Sequence, residues 1–157
     1  MPHDPACAIL DRLPLPVCPF ARAYRCRRCR GEAAFGTDTV VRQTCYGLRV
    51  HLRLEWPGVI VRCCLAPANT HELAAVPALV EQPAGTVVGD RNYWSPTTTA
   101  EWQPHGVALL APYRSAKRAP HPRWSALLSR VRYRIDTVFG QLVDRRALKR
   151  VWARVGA

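Results

Sequence analysis

Apolar and polar residues alternate along Tyr46-Gly-Leu-Arg-Val-His-Leu-Arg-Leu-Glu55. Leu48, Val50, Leu52 and Leu54 share one face and Arg49, His51, Arg53 and Glu55 the other, the period of a half-buried strand. Trp56-Pro57-Gly58 signals a turn, and Val59-Ile-Val-Arg-Cys-Cys-Leu65 a returning strand, so 46–65 predicts an antiparallel hairpin. Cys7 to Leu13 predicts a short buried strand stopped by Pro14 and Pro16. Thr86-Val-Val-Gly-Asp90 predicts a strand ending in a carboxylate, and Val107-Ala-Leu-Leu-Ala111 a further strand.

Helical spacing appears in two places. Leu73, Val76, Leu79 and Val80 form a stripe behind a cap at Asn69 or Thr70. Leu127, Leu128, Val131, Ile135, Val138, Phe139 and Leu142 form a longer one, predicting a helix over about 124–154. Between the strands, Ser95-Pro96 reads as a helix cap with proline at the first helical position. The order is strand, hairpin, helix, strand, helix, strand, long helix. It predicts a mixed α/β domain over 1–157, a small sheet covered by helices. Residues 19–44 and 114–123 follow no period and are expected to be basic loops.

Charge changes the picture. The chain carries 23 Lys and Arg against 11 Asp and Glu, a net charge of +12. The excess is nearly all arginine, whose forked guanidinium suits phosphate. A polyanion is the expected partner, because each phosphate contact releases condensed counterions. Arg25, Arg27, Arg28 and Arg30 in the first loop, with Arg114, Lys117 and Arg118 in the second, are the candidate phosphate contacts; a solvated basic loop is the plainer reading. No apolar run is long enough to span a bilayer, and no signal peptide opens the chain, so a cytoplasmic, nucleoid-associated location is expected and a membrane role is not. Seven cysteines, an odd number, argue against a disulfide framework. Cys26 and Cys29 have the spacing of a zinc half-site, but no second pair with that spacing follows.

Three of the few acids stand in unusual places. Asp11 interrupts a buried strand, Asp90 ends one, and Asp136 lies beside Ile135 in the long helix. A carboxylate near a core must be paired or bind a cation. Converging carboxylates suit Mg²⁺, and two such ions can serve phosphodiester displacement. Each acid also has a local alternative: Asp11 can pair with Arg12, Asp90 can cap a turn, and Asp136 can pair with Arg132 one helical turn away. His51 reads as a sheet-surface histidine. His71 and Glu72 read as a helix start, where the acid suits the positive end of the dipole. Tyr93 and Trp94 are candidates for stacking on a base or for packing under the next helix.

Ordered motifs add to this reading. Asp11-Arg-Leu-Pro-Leu-Pro-Val-Cys18 resembles the Asp-Ser-x-Pro-x-Pro-Val-Cys opening of the catalytic domain in one group of insertion-sequence DDE transposases. Arg25-Cys-Arg-Arg-Cys-Arg-Gly31, Tyr46-Gly-Leu-Arg-Val-His-Leu52 and Leu65-Ala-Pro-Ala-Asn-Thr-His-Glu72 resemble further segments of that group, in the same order. So do Gly89-Asp-Arg-Asn-Tyr93 and the helix from Arg132 to Leu142. The resemblance implies an RNase H-like fold, with Asp11, Asp90 and Asp136 as an acidic triad holding two Mg²⁺ or Mn²⁺ ions. It also implies cleavage and strand transfer on double-stranded DNA, at element ends and at the target, with a homodimer in the DNA complex. Arg132 is then placed to orient Asp136 or touch the scissile phosphate. The chain departs from the group in having Asp136 where Glu is usual, and in lacking the flanking regions its members carry. A truncated catalytic domain, or an inactive remnant that only binds DNA, is the alternative expectation.

Overall fold

The computed structural model describes residues 4–38, 42–80, 85–93, 95–113 and 124–149. One six-stranded mixed sheet organises them. Strand β3 (Gln43–Trp56) runs antiparallel to β1 (Asp4–Pro16) and to β4 (Val59–Pro67); β5 (Gly85–Val88) and β6 (Val107–Leu110) extend the other side of β1 in parallel. The short strand β2 (Ala34–Asp38) pairs with the start of β3 at the sheet's far edge. Antiparallel strands joined by a tight turn, followed by parallel strands reached through helices, are the mixed α/β, RNase H-like arrangement that the motifs imply.

Helices cover both faces. Helix α1 (Glu72–Leu79) packs Ala75, Val76 and Leu79 on Ala8, Leu10 and Val87. Helix α3 (Trp124–Arg146) packs Ile135 and Phe139 on Ile9, Val50, Leu52 and Leu54. Successive β1 residues point to opposite faces, so Ile9, Asp11 and Leu13 look toward α3, and Ala8, Leu10 and Arg12 toward α1. Helix α2 (Pro96–Trp102) begins as the sequence predicts: the Ser95 hydroxyl accepts from Thr98 N–H at 3.3 Å and Pro96 follows.

Several expectations change. The β3 face carrying Arg49, His51, Arg53 and Glu55 is buried beneath α1 rather than solvated. Its charges are satisfied internally: Arg53 bonds Glu55 at 2.9 Å, and Arg49 bonds the carbonyls of Thr70 and Thr37. Alternation predicts two faces; it does not say that a helix lies on the second. The cap of α1 is His71, whose Nδ1 accepts from Leu73 N–H at 3.2 Å, not Asn69 or Thr70. The 19–44 excursion is not all loop, since it contains a 3-10 turn (Phe20–Arg25) and β2. Leu127, part of the predicted apolar stripe, is exposed. Helix α3 ends at Arg146, earlier than periodicity suggests. Trp94, Arg114, Lys117 and Arg118 lie outside the described residues.

Candidate functional site

Register brings Asp11 and Asp90 together. Ile9 on β1 pairs with Val88 on the parallel strand β5. Both acids lie two residues beyond that last pair, Asp90 past the end of β5, and they are near enough for the Asp90 charge to act on Asp11. The position is the carboxyl end of parallel strands, where open α/β sheets form their sites. Asp11 is buried, and its pKa is raised, chiefly by that burial and further by the Asp90 charge. Arg132 opposes the rise: its guanidinium donates to Asp11 Oδ2 at 3.0 Å, while Arg12 N–H donates to Oδ1 at 2.8 Å.

Asp90 is fixed by its own turn. Asn92 N–H donates to Oδ1 at 2.8 Å, and Asn92 Nδ2 reaches Oδ2 at 3.3 Å. Tyr93 N–H closes the turn on the Asp90 carbonyl at 3.1 Å. The Tyr93 side chain lies against Gly89, where a Cβ would come within 2.7 Å of the Tyr93 Cβ and 2.8 Å of its ring. This is the physical reason for the Gly-Asp-x-x-Tyr spacing: glycine makes room for the ring that folds the turn back over the strand end. The Tyr93 hydroxyl is buried without a partner among the described residues, and burial, then Asp11, Asp90 and Glu72, push its pKa up.

Glu72 is the site residue that sequence reasoning missed. It is 4% exposed, ion-paired with Arg12 Nε, and its Oε1 is 3.5 Å from Asn92 Nδ2. A chain of contacts thus runs Arg12, Glu72, Asn92, Asp90, tying α1 to the strand end. A helix-start acid next to a histidine looks like an ordinary dipole partner in sequence. The signal available was Arg12, a guanidinium on a buried strand that needs a buried carboxylate. Close by, His51 is wholly buried, with neither ring nitrogen hydrogen-bonded among the described residues. Burial, then the Arg12 and Arg49 charges, lower its pKa to about 4.

A polar cleft of about 540 Å³ opens beside Asp90, lined by Arg91, Asn92, Ser125, Ser129 and Arg132. Ser125, Ser129, Arg132 and Asp136 fall on one side of α3, at spacings of three and four. Arg132 therefore pairs across the structure with Asp11, not along the helix with Asp136. Asp136 is exposed, one turn beyond Arg132. Among the described residues no group of three or more His, Cys, Asp or Glu side chains is placed to hold a metal. The residues present fit one hard cation between Asp11 and Asp90, a pair whose like charges already press on each other; Mg²⁺ is commonly held by one or two carboxylates, with waters and phosphates completing its shell. They do not assemble a second ion site. Arg25, Arg27 and Arg30 are exposed and Arg28 half-buried, all beyond the carboxyl end of β1.

No described helix is long and apolar enough to cross a membrane. No curated protein and no solved structure gives a significant match. A family model described as "Transposase DDE domain" matches residues 4–152. With nearly the whole chain matched, and Asp11 on β1 near Asp90 just past the end of β5, the chain belongs to the transposase DDE domain family.

Proposed function

We propose that the chain is the catalytic domain of a DNA transposase, cutting and joining phosphodiesters of double-stranded DNA with Asp11 and Asp90 as the central acids. The observation that carries this reading is the nearness of those acids, beside a cleft lined by two guanidiniums and two hydroxyls. Asp11 and Asp90 would hold Mg²⁺ or Mn²⁺, which supplies Lewis-acid charge to the phosphodiester when bound. Arg91 and Arg132 bind a phosphate by charge and forked hydrogen bonds, and Ser125 and Ser129 add neutral donors. Asn92 holds Asp90 in one orientation, so the acid is positioned before substrate arrives. The Arg12–Glu72 pair keeps the Arg12 guanidinium on the α1 face, away from Asp11. Asp136 is the proposed third acid, and Arg25, Arg27, Arg28 and Arg30 are proposed contacts for flanking DNA phosphates. Ends of the mobile element and the target duplex are the substrates of this reading, with two copies of the chain in the DNA complex.

A second reading, a remnant that binds DNA without cutting it, is favoured by two observations: Asp136 stands apart from the acid pair, and Arg132 holds Asp11. Incubating the full chain with supercoiled DNA and Mg²⁺ or Mn²⁺ separates the two. The catalytic reading expects nicking that disappears in Asp11→Asn and in Asp90→Asn. Salt-sensitive binding without metal-dependent nicking would establish the second reading instead.

A further inference from the structure

A solvent-facing aromatic cluster lies away from the acids. Phe35 on β2 is 50% exposed and Phe20 is 57%; Tyr24, 73% exposed, lies in the same 3-10 turn as Phe20. Phe20 meets Phe35 edge-on with centroids 6.2 Å apart, and Phe35 lies 5.0 Å from its cross-strand partner Tyr46. An exposed patch of this kind marks a binding surface. Its location constrains what binds. Tyr46 has the β3 parity of Val50 and Leu52, which look toward α3. Leu52 is the cross-strand neighbour of Asp11. The cluster and Asp11 therefore share one face of the sheet. Tyr46 is six residues from Leu52 along β3, about 20 Å at 3.3 Å per residue. A nucleic-acid strand advances about 3.4 Å per nucleotide, so the gap corresponds to about six nucleotides.

The charge around the cluster selects the partner. Arg22, Arg25, Arg27 and Arg30 are exposed on the same segment and form no ion pair with a described carboxylate. Arg25 already lies over the Tyr24 ring, 5.0 Å from its centroid. Guanidiniums interleaved with open aromatic faces make a platform for unpaired bases, because the arginines follow the backbone while the rings stack on the bases. A protein partner would leave these cations needing a matching acidic surface; a nucleic-acid strand supplies charge and planar groups together.

We infer that Tyr24, Phe20 and Phe35, with the arginines around them, form a stacking platform for unpaired bases of a DNA strand, about six nucleotides from the acids. The inference rests on the transposase reading for its substrate, but its test needs no catalysis. The full chain is titrated in EDTA against a labelled duplex that is blunt, that carries a six-nucleotide single-stranded overhang, or that carries the same overhang with abasic sites. The intact overhang should bind roughly tenfold or more tighter than the abasic one. Phe35→Ala should bring the intact overhang to the abasic level while leaving the blunt duplex unchanged. Tyr24→Ala, at a more exposed position, should do the same if Phe35→Ala perturbs folding, and Phe35→Trp should keep the preference. Arg27→Ala should weaken all three DNAs alike and reduce the salt slope by about one. Equal binding of intact and abasic overhangs overturns the inference. So does equal weakening of all three DNAs by Phe35→Ala, or a change in sedimentation mass in place of a change in DNA preference, which would make the cluster a contact between two copies. Base preference without nicking would sink the catalytic reading alone, nicking without base preference would sink the platform alone, and no DNA binding would sink both.

Discussion

Replacing Glu72 by leucine should cost more stability than any other single change near the site. The Arg12 and Glu72 side chains are 10% and 5% exposed. Removing the acid leaves the guanidinium buried, and breaking such a pair costs about 3–5 kcal/mol. The surroundings favour the upper part of that range. The Arg12 and Arg49 charges already help to depress the His51 pKa, so the pocket is electropositive and Glu72 is its counter-charge. About 4 kcal/mol in a 157-residue chain lowers the unfolding midpoint by about 8–16 °C. Arg12→Leu alone should also destabilise, by stranding Glu72. The double change Arg12→Leu/Glu72→Leu removes both charges and should recover most of the loss, because apolar replacement of a buried pair is often neutral. Urea unfolding followed by tryptophan fluorescence gives the three differences and their coupling. A loss below about 1 kcal/mol for Glu72→Leu, or a double variant equal to the sum of the singles, would refute the buried-pair reasoning.

Other outcomes follow from the same geometry. Gly89→Ala places a methyl against the Tyr93 ring and should cost about 1–3 kcal/mol by thermal melt, with Gly89→Ala/Tyr93→Leu partly restored. His51 has a folded pKa near 4 against 6.5 unfolded, so the unfolded chain binds the extra proton. Its contribution is complete above pH 6.5 and is lost as pH falls toward 4, about 3 kcal/mol at roughly 1.4 kcal/mol per pH unit; His51→Leu should flatten that part of the stability profile. Asp11 has its folded pKa raised, so its ionised form costs stability once pH passes the unfolded value of about 3.9. Asp11→Asn should therefore raise the melting midpoint at pH 7 while removing nicking, a trade of stability for function.

How far the sequence led depended on where each signal was stored. The β3–β4 hairpin was legible because Leu48 to Leu54 alternate without a break, and Asp90 because a glycine and an aspartate close a short apolar run. The burial of Arg49, His51, Arg53 and Glu55 was not, since one strand's period cannot report the helix above it. Strand β2 was hidden because Ala34–Asp38 is short and has a glycine at its centre. In α3 the periodicity identified the apolar stripe through Ile135 and Phe139. It could not choose the partner of Arg132, because Asp11 is 121 positions away in the chain while Asp136 is four. Glu72 was missed for the same reason: its partners Arg12 and Asn92 come from elements on either side of it in sequence, and only the fold joins them.

Asp11 and Asp90, at the edge of the cleft, are the proposed divalent-cation site. Titrating Mn²⁺ into the full chain and following the free ion by electron paramagnetic resonance tests it most directly. Saturable binding in the wild-type chain, lost in both Asp11→Asn and Asp90→Asn and kept in Cys29→Ser, is the predicted result. Mn²⁺ binding of unchanged affinity and stoichiometry in the two aspartate variants would contradict it.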